Sequence, residues 1–170
     1  MKKIACITGA SSGIGRATAQ SLAKEGFDLI LCGRRKERLE ELQASLAVNS
    51  ILLTFDVSDQ PSVIQAFESL PSDWKNIDVL VNNAGNAHGM SAIQEGDVAD
   101  WDAMMASNVT GLLYVSKEVI KGMVERKSGH IVNLSSIAGK QTYPNGASFL
   151  WRALMLQVFY KISSAILFWA

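Results

Sequence analysis

The sequence predicts an α/β fold, a doubly wound parallel sheet, on three observations. Short apolar runs alternate with amphipathic helical patterns along the chain. The runs are continuously apolar instead of alternating, the pattern of strands covered on both faces. A glycine-rich turn joins the first run to the first helical pattern, which is where such sheets place a ligand.

The elements follow in order. Lys3 to Thr8 reads as the first strand, and Gly9-Ala10-Ser11-Ser12-Gly13-Ile14-Gly15 as the turn after it. Ile14, Ala17, Thr18, Ser21 and Leu22 fall on one face of a first helix, which Gly26 should end. Phe27 to Cys32 is a second strand, and Leu39, Leu42 and Leu46 mark a second helix. Ile51 to Phe55 is a third strand. Ser58-Asp59-Gln60-Pro61 then starts a helix lined by Val63, Phe67 and Leu70. Ile77 to Val81 is a fourth strand, Trp101 to about Lys127 is largely helical in one or two pieces, and His130 to Leu134 is a fifth strand. With right-handed crossovers, the expected strand order is 3-2-1-4-5, with the ligand at the carboxyl ends where the order reverses.

Composition narrows the function. At 48% apolar residues, the 170-residue chain is too hydrophobic to be disordered. Sixteen lysines and arginines balance sixteen acidic residues, which gives no pull toward nucleic acid or an anionic membrane surface. The apolar start through Ile7 breaks at Thr8-Gly9, so no export leader is expected. Cys6 and Cys32, each inside an apolar run, read as buried thiols in a reducing compartment and not as metal ligands. These features predict a cytoplasmic protein with no metal.

In the glycine turn, Gly9 should let the chain leave the strand sharply. Gly13 should let backbone approach a pyrophosphate, and Gly15 should let the helix pack closely. The helix N-terminus would then offer its N–H groups to an anion. About 20 residues on, an NAD site carries an acid for the ribose hydroxyl. Here the second strand runs out into Gly33-Arg34-Arg35, with Lys36 and Arg38 beyond. Arginine suits a 2′-phosphate, which a carboxylate would repel. The cations could instead simply solvate a helix start, but they oppose its dipole. The sequence therefore favours NADP over NAD.

Thr8 to Gly15, Asn82-Asn83-Ala84-Gly85 and Ile131-Val132-Asn133-Leu134-Ser135-Ser136 together resemble the classical short-chain dehydrogenase/reductases, over residues 2 to about 147. Gly33 to Leu39, Leu70 to Asp78 and Tyr143-Pro144-Asn145-Gly146 look, within that family, like the NADP-dependent 3-hydroxy acid dehydrogenases. The resemblance implies a Rossmann fold and hydride transfer between NADP(H) and a small hydroxy acid or carbonyl substrate. It implies that Ser11, Ser12 and Ile14 join the glycines around the coenzyme, that Asp56-Val57 meets the adenine, and that Asn82 with the Ala84-Gly85 backbone lines the coenzyme. It implies that Asn108 holds a proton-relay water and that Ser136 hydrogen-bonds the substrate oxygen. Members of the family are usually homo-oligomers. Each residue also has a plainer reading: Asn82-Asn83 suits a turn, Asn108 a buried helix amide, and Ser135-Ser136 a strand end.

The pattern then breaks. The family's tyrosine and lysine, thirteen and seventeen residues beyond the serine, fall on Phe149 and Ala153. Tyr143 comes too early, and Tyr160-Lys161 too late. From Ser148 the chain is apolar on every face, although Arg152 and Lys161 interrupt it short of a membrane span. The sequence thus divides into 1–147, an NADP-binding domain in C-terminally truncated form, and 148–170, an atypical apolar tail expected to be sticky. A shift of reading frame would produce such a break, but a single slip does not restore the motif cleanly. An inactive nucleotide-binding fragment is the alternative to a working oxidoreductase.

Overall fold

The structure is a computed structural model that describes residues 2–88, 91–92 and 94–136. Phe149, Ala153, Tyr143 and the tail from Ser148 lie outside the described residues.

Five parallel strands form one sheet in the order β3-β2-β1-β4-β5, as the sequence predicts. They are β1 (Ile4–Thr8), β2 (Asp28–Gly33), β3 (Ser50–Thr54), β4 (Val79–Asn82) and β5 (His130–Asn133). The helices between them are α1 (Gly13–Lys24), α2 (Lys36–Ala44), α3 (Gln60–Glu68), α4 (Val98–Met105) and α5 (Gly111–Glu125). β1 is central and pairs with β2 from Ile4↔Asp28 to Thr8↔Cys32, and with β4 from Ala5↔Val79 to Ile7↔Val81.

Two cores explain the continuous apolar runs. Every residue of β1 is buried. Ala5 and Ile7 join Leu29, Leu31, Leu39 and Leu42 under α1 and α2. Ile4 and Cys6 join Ile30, Val63, Phe67, Val115 and Val119 under α3 and α5. Successive side chains of a strand point to opposite faces, so a strand with helices on both sides has no polar face to show. Cys6 and Cys32 are both buried free thiols, with sulfurs 3.5 Å apart. Burial, with Cys6 beside it, pushes the Cys32 thiol well above its ordinary pKa.

The first helix differs from the sequence reading. Its buried residues are Gly15 and Ala19, with Leu22 and Ala23 partly buried behind them. Ile14 is 65% exposed. The face is displaced because Gly15 and Ala19 bring the helix close to the sheet, leaving Ile14 over the carboxyl edge. Gly26 ends α1 as expected: its φ is +83°, its N–H donates to the Ala23 carbonyl, and the Phe27 N–H reaches Leu22, a Schellman ending.

β4 begins later than the apolar run suggests. The Asp78 carboxylate accepts the Ile4 N–H at 2.8 Å, and the Ile77 N–H turns back to Lys75. Ile77 is buried as core without being part of the strand. The long helical stretch is two helices joined by a π-wound turn, Ala106–Thr110, a winding that recurs at functional sites.

Candidate functional site

The carboxyl ends of β1, β2, β3, β4 and β5 open onto one cleft of about 450 Å³. It lies where the strand order reverses between β1 and β4, the position expected for a ligand in an open α/β sheet.

One side of the cleft is made of backbone. Gly9 turns out of β1 at φ +67°. A Cβ on Gly15 would collide with the Gly9 carbonyl and the Asn83 carboxamide, so only glycine lets α1 start this close. The N-cap, Ser12, makes no side-chain cap, which leaves the first N–H groups of α1 turned to the cleft mouth. Asn83 ties this loop to the β4 end. Its Nδ2 donates to the Thr8 carbonyl at 2.8 Å and to Gly9 at 3.2 Å, while Thr8 Oγ1 accepts the N–H groups of Asn83 and Ala84.

The two arginines after β2 are held differently. Arg35 stands at the N-cap of α2. Its Nη2 donates to Ser11 Oγ at 2.8 Å and to Ser12 Oγ at 2.7 Å, and its Nε to Ser11 at 3.2 Å. All these partners are neutral. Arg34 reaches across to Asp56, Nη1 to Oδ2 at 3.2 Å. The other Asp56 oxygen accepts the Ser58 N–H at 2.9 Å and the Ser58 hydroxyl at 2.7 Å. Partial burial raises the Asp56 pKa, but the Ser58 bonds and Arg34 outweigh it and hold the carboxyl below its ordinary value.

The β4–β5 side is built from carboxamides. Asn82 is buried and turns away from the cleft. Its Nδ2 donates to Ser116 Oγ and to Asn133 Oδ1, both at 2.9 Å. Asn82 Oδ1 and Asn133 Nδ2 are buried without a hydrogen-bond partner among the described residues. Asn108, only 1% exposed, sits in the π-wound turn. Its Oδ1 accepts the Asn86 N–H at 2.8 Å and its Nδ2 donates to the Asn86 carbonyl at 2.9 Å. That two-point clasp ties Asn86, which lines the cleft, to the π-wound turn, and Ser107 Oγ adds a bond to Asn86 Oδ1 at 2.9 Å.

Of the residues singled out from sequence, Gly9, Ser11, Ser12, Ile14, Arg34, Arg35, Asp56, Val57, Ala84, Gly85 and Ser136 line the cleft. Gly13 and Gly15 shape the loop behind it, while Asn82 and Asn108 act from outside it. The sequence reading expected Asn82 to line the coenzyme; in the structure Asn83 lines the cleft and Asn82 does not, because successive strand-end side chains face opposite ways. Asn86 and Ser107 also line the cleft and were not foreseen. Their signal is tertiary, a loop clasped by a helix some twenty residues on.

Among the described residues, no helix is long and apolar enough to cross a membrane. A family model described as short chain dehydrogenase matches residues 3–149. The chain is 41% identical over 143 residues to the NADP-dependent 3-hydroxy acid dehydrogenase YdfG of Escherichia coli K12, covering 84% of this chain and 58% of that one. Among solved structures it is similar to the closed form of serine dehydrogenase complexed with NADP+, at 38% identity and a TM-score of 0.89. That match covers 92% of this chain and 63% of the other. It is also similar to NAD+-bound xylitol dehydrogenase, at 32% identity and a TM-score of 0.92, covering 97% and 65%. The chain therefore spans less than two thirds of the length of each of these relatives.

Proposed function

The chain belongs to the short-chain dehydrogenase/reductase family, and on that premise we propose that it binds NADP(H) in the cleft and serves hydride transfer to or from a small hydroxy acid or its carbonyl counterpart. The observation that carries this reading is Arg35, held at the cleft mouth by two serine hydroxyls with no acidic partner among the described residues. A guanidinium so placed beside an open helix N-terminus is a seat for a phosphate. The 3-hydroxy acid relative and the NADP+-bound serine dehydrogenase support the coenzyme and the substrate class.

In this reading residues 1–147 form the coenzyme-binding domain and 148–170 a distinct apolar tail. Gly9 and the start of α1 receive the pyrophosphate, Arg35 and Arg34 the 2′-phosphate, and Asp56 and Val57 flank the adenine. Ala84 and Gly85 give backbone to the coenzyme's far half. Ser136 donates its hydroxyl hydrogen to the substrate oxygen, and Asn108 keeps the Asn86 loop over the reacting end. NADP(H), when bound, supplies or accepts the hydride. Phe149 has no proton to exchange and Ala153 no charge, so this chain binds coenzyme far better than it turns substrate over. The two free thiols suit a reducing, cytoplasmic compartment.

Fluorescence titration with NADPH and NADH tests the coenzyme reading. NADPH is expected to bind more tightly, and equal affinities would overturn it.

A further inference from the structure

The two arginines at the end of β2 do not stand in equal states. Among the described residues Arg35 has hydroxyl partners alone and no carboxylate. Arg34 is paired with Asp56, and that carboxylate is itself fixed by two bonds from Ser58. Both ends of the pair line the cleft. Summed over the three groups, the mouth offers one net positive charge where the sequence suggests two.

We propose that Asp56 is a specificity-determining residue, which restrains the preference for a 2′-phosphorylated coenzyme by competing with that phosphate for Arg34. The proposal rests on the reading that this cleft takes NADP(H). A coenzyme bearing a 2′-phosphate meets in Arg34 a guanidinium already paired with a carboxylate, so the phosphate is repelled by Asp56 and gains less from Arg34 than from an unpaired arginine. A coenzyme with a free ribose hydroxyl brings no anion to that place and leaves the Arg34–Asp56 pair intact. The carboxylate therefore acts against NADPH alone. Any contact of residue 56 with the adenine is common to both coenzymes and cancels in the ratio of their affinities. Arg34 is 69% and Asp56 38% exposed at the side chain, so the competition has the size of one surface ion pair and weakens with salt.

The test measures NADPH and NADH dissociation constants for the full chain, for D56N, for R34Q and for R34Q/D56N, at low ionic strength. Asparagine keeps an oxygen for the Ser58 bonds, so D56N removes the charge and little else. The NADPH-to-NADH affinity ratio is expected to rise by about two- to five-fold in D56N, the upper range for an exposed pair. It is expected to change by less than about two-fold when D56N is added to R34Q. R35Q, an independent check, should cost NADPH affinity more than R34Q does. An unchanged ratio in D56N, an equal rise with Arg34 already removed, or a larger loss from R34Q than from R35Q would each overturn the proposal. If the wild-type chain favours NADPH while D56N is silent, the coenzyme reading stands and only the role of Asp56 falls. If it binds neither coenzyme, both fall.

Discussion

The two ends of the cleft hold their polar groups in opposite ways. At the β1–β2–β3 end the work falls to backbone N–H groups and to exposed arginines whose present partners are serines and one carboxylate. Such bonds exchange readily, because water and neighbouring side chains offer alternatives at little cost. At the β4–β5 end it falls to carboxamides in the interior. Asn108 is clasped to Asn86, and Asn82 bridges Ser116 and Asn133. A group lost there leaves its partner dry, and the penalty is desolvation in full. The exposed end is suited to capture a ligand and release it. The buried end is suited to hold a geometry still, while in sequence the positions expected to carry the acid–base pair are Phe149 and Ala153.

The sharpest way to break this contrast is turnover. Purified chain assayed with NADP+ and serine, or NADPH and malonic semialdehyde, is expected to run at least about 10²-fold below an ordinary enzyme's 10 per second, since losing a positioned proton-transfer group costs about 10²–10⁴. A normal rate would show that another side chain carries the proton. Next in size is Gly15→Ala, which pushes a Cβ into the Gly9 carbonyl. We expect a loss of about 1–3 kcal/mol in stability and a loss of NADPH binding by titration. A melt and an affinity like wild type would mean that the loop yields.

A finer test lies wholly within the buried end. Asn108 has its carboxamide oxygen and nitrogen both engaged by Asn86, whereas the Asn82 oxygen has no partner among the described residues. Asn108→Ala should therefore destabilise more than Asn82→Ala, by about 1 kcal/mol in denaturant melts. Equal losses would remove the distinction. The smallest effect concerns acid. The folded carboxyl of Asp56 is held below its unfolded value, so its stabilising contribution is present above about pH 4. It is lost as pH falls through the lower folded value. D56N should flatten the acid limb of the stability curve slightly, and an unaltered limb would show that the Arg34 and Ser58 bonds add nothing to stability.

Much of this molecule was legible in advance where one physical cause acts locally. Continuous apolar runs meant two covered faces, and β1 divides its side chains between two cores. Gly9, Gly15 and Gly26 announced a turn, a close approach and a helix end. What escaped depends on partners distant in sequence. The face of α1 moved because small residues, not large ones, make its contact. Asn83 displaced Asn82 in the cleft because strand-end side chains alternate. The Asn86–Ser107–Asn108 clasp arises from a loop meeting a π-wound turn, and no residue type marks such a winding. The unequal ties of Arg34 and Arg35 depend on where β3 brings Asp56.

The paired thiols of β1 and β2 give the molecule its own reporter. Cys6 and Cys32 are 0% and 1% exposed, and the elevated Cys32 pKa leaves little of the reactive thiolate. An alkylating reagent can reach them only in chains whose central strands have parted, so the labelling rate at neutral pH counts those openings. A ligand that seats only on the closed form slows the count by one plus its concentration over its dissociation constant. Coenzyme affinity can thus be read by mass spectrometry from two sulfurs on the opened strands, without any catalytic signal.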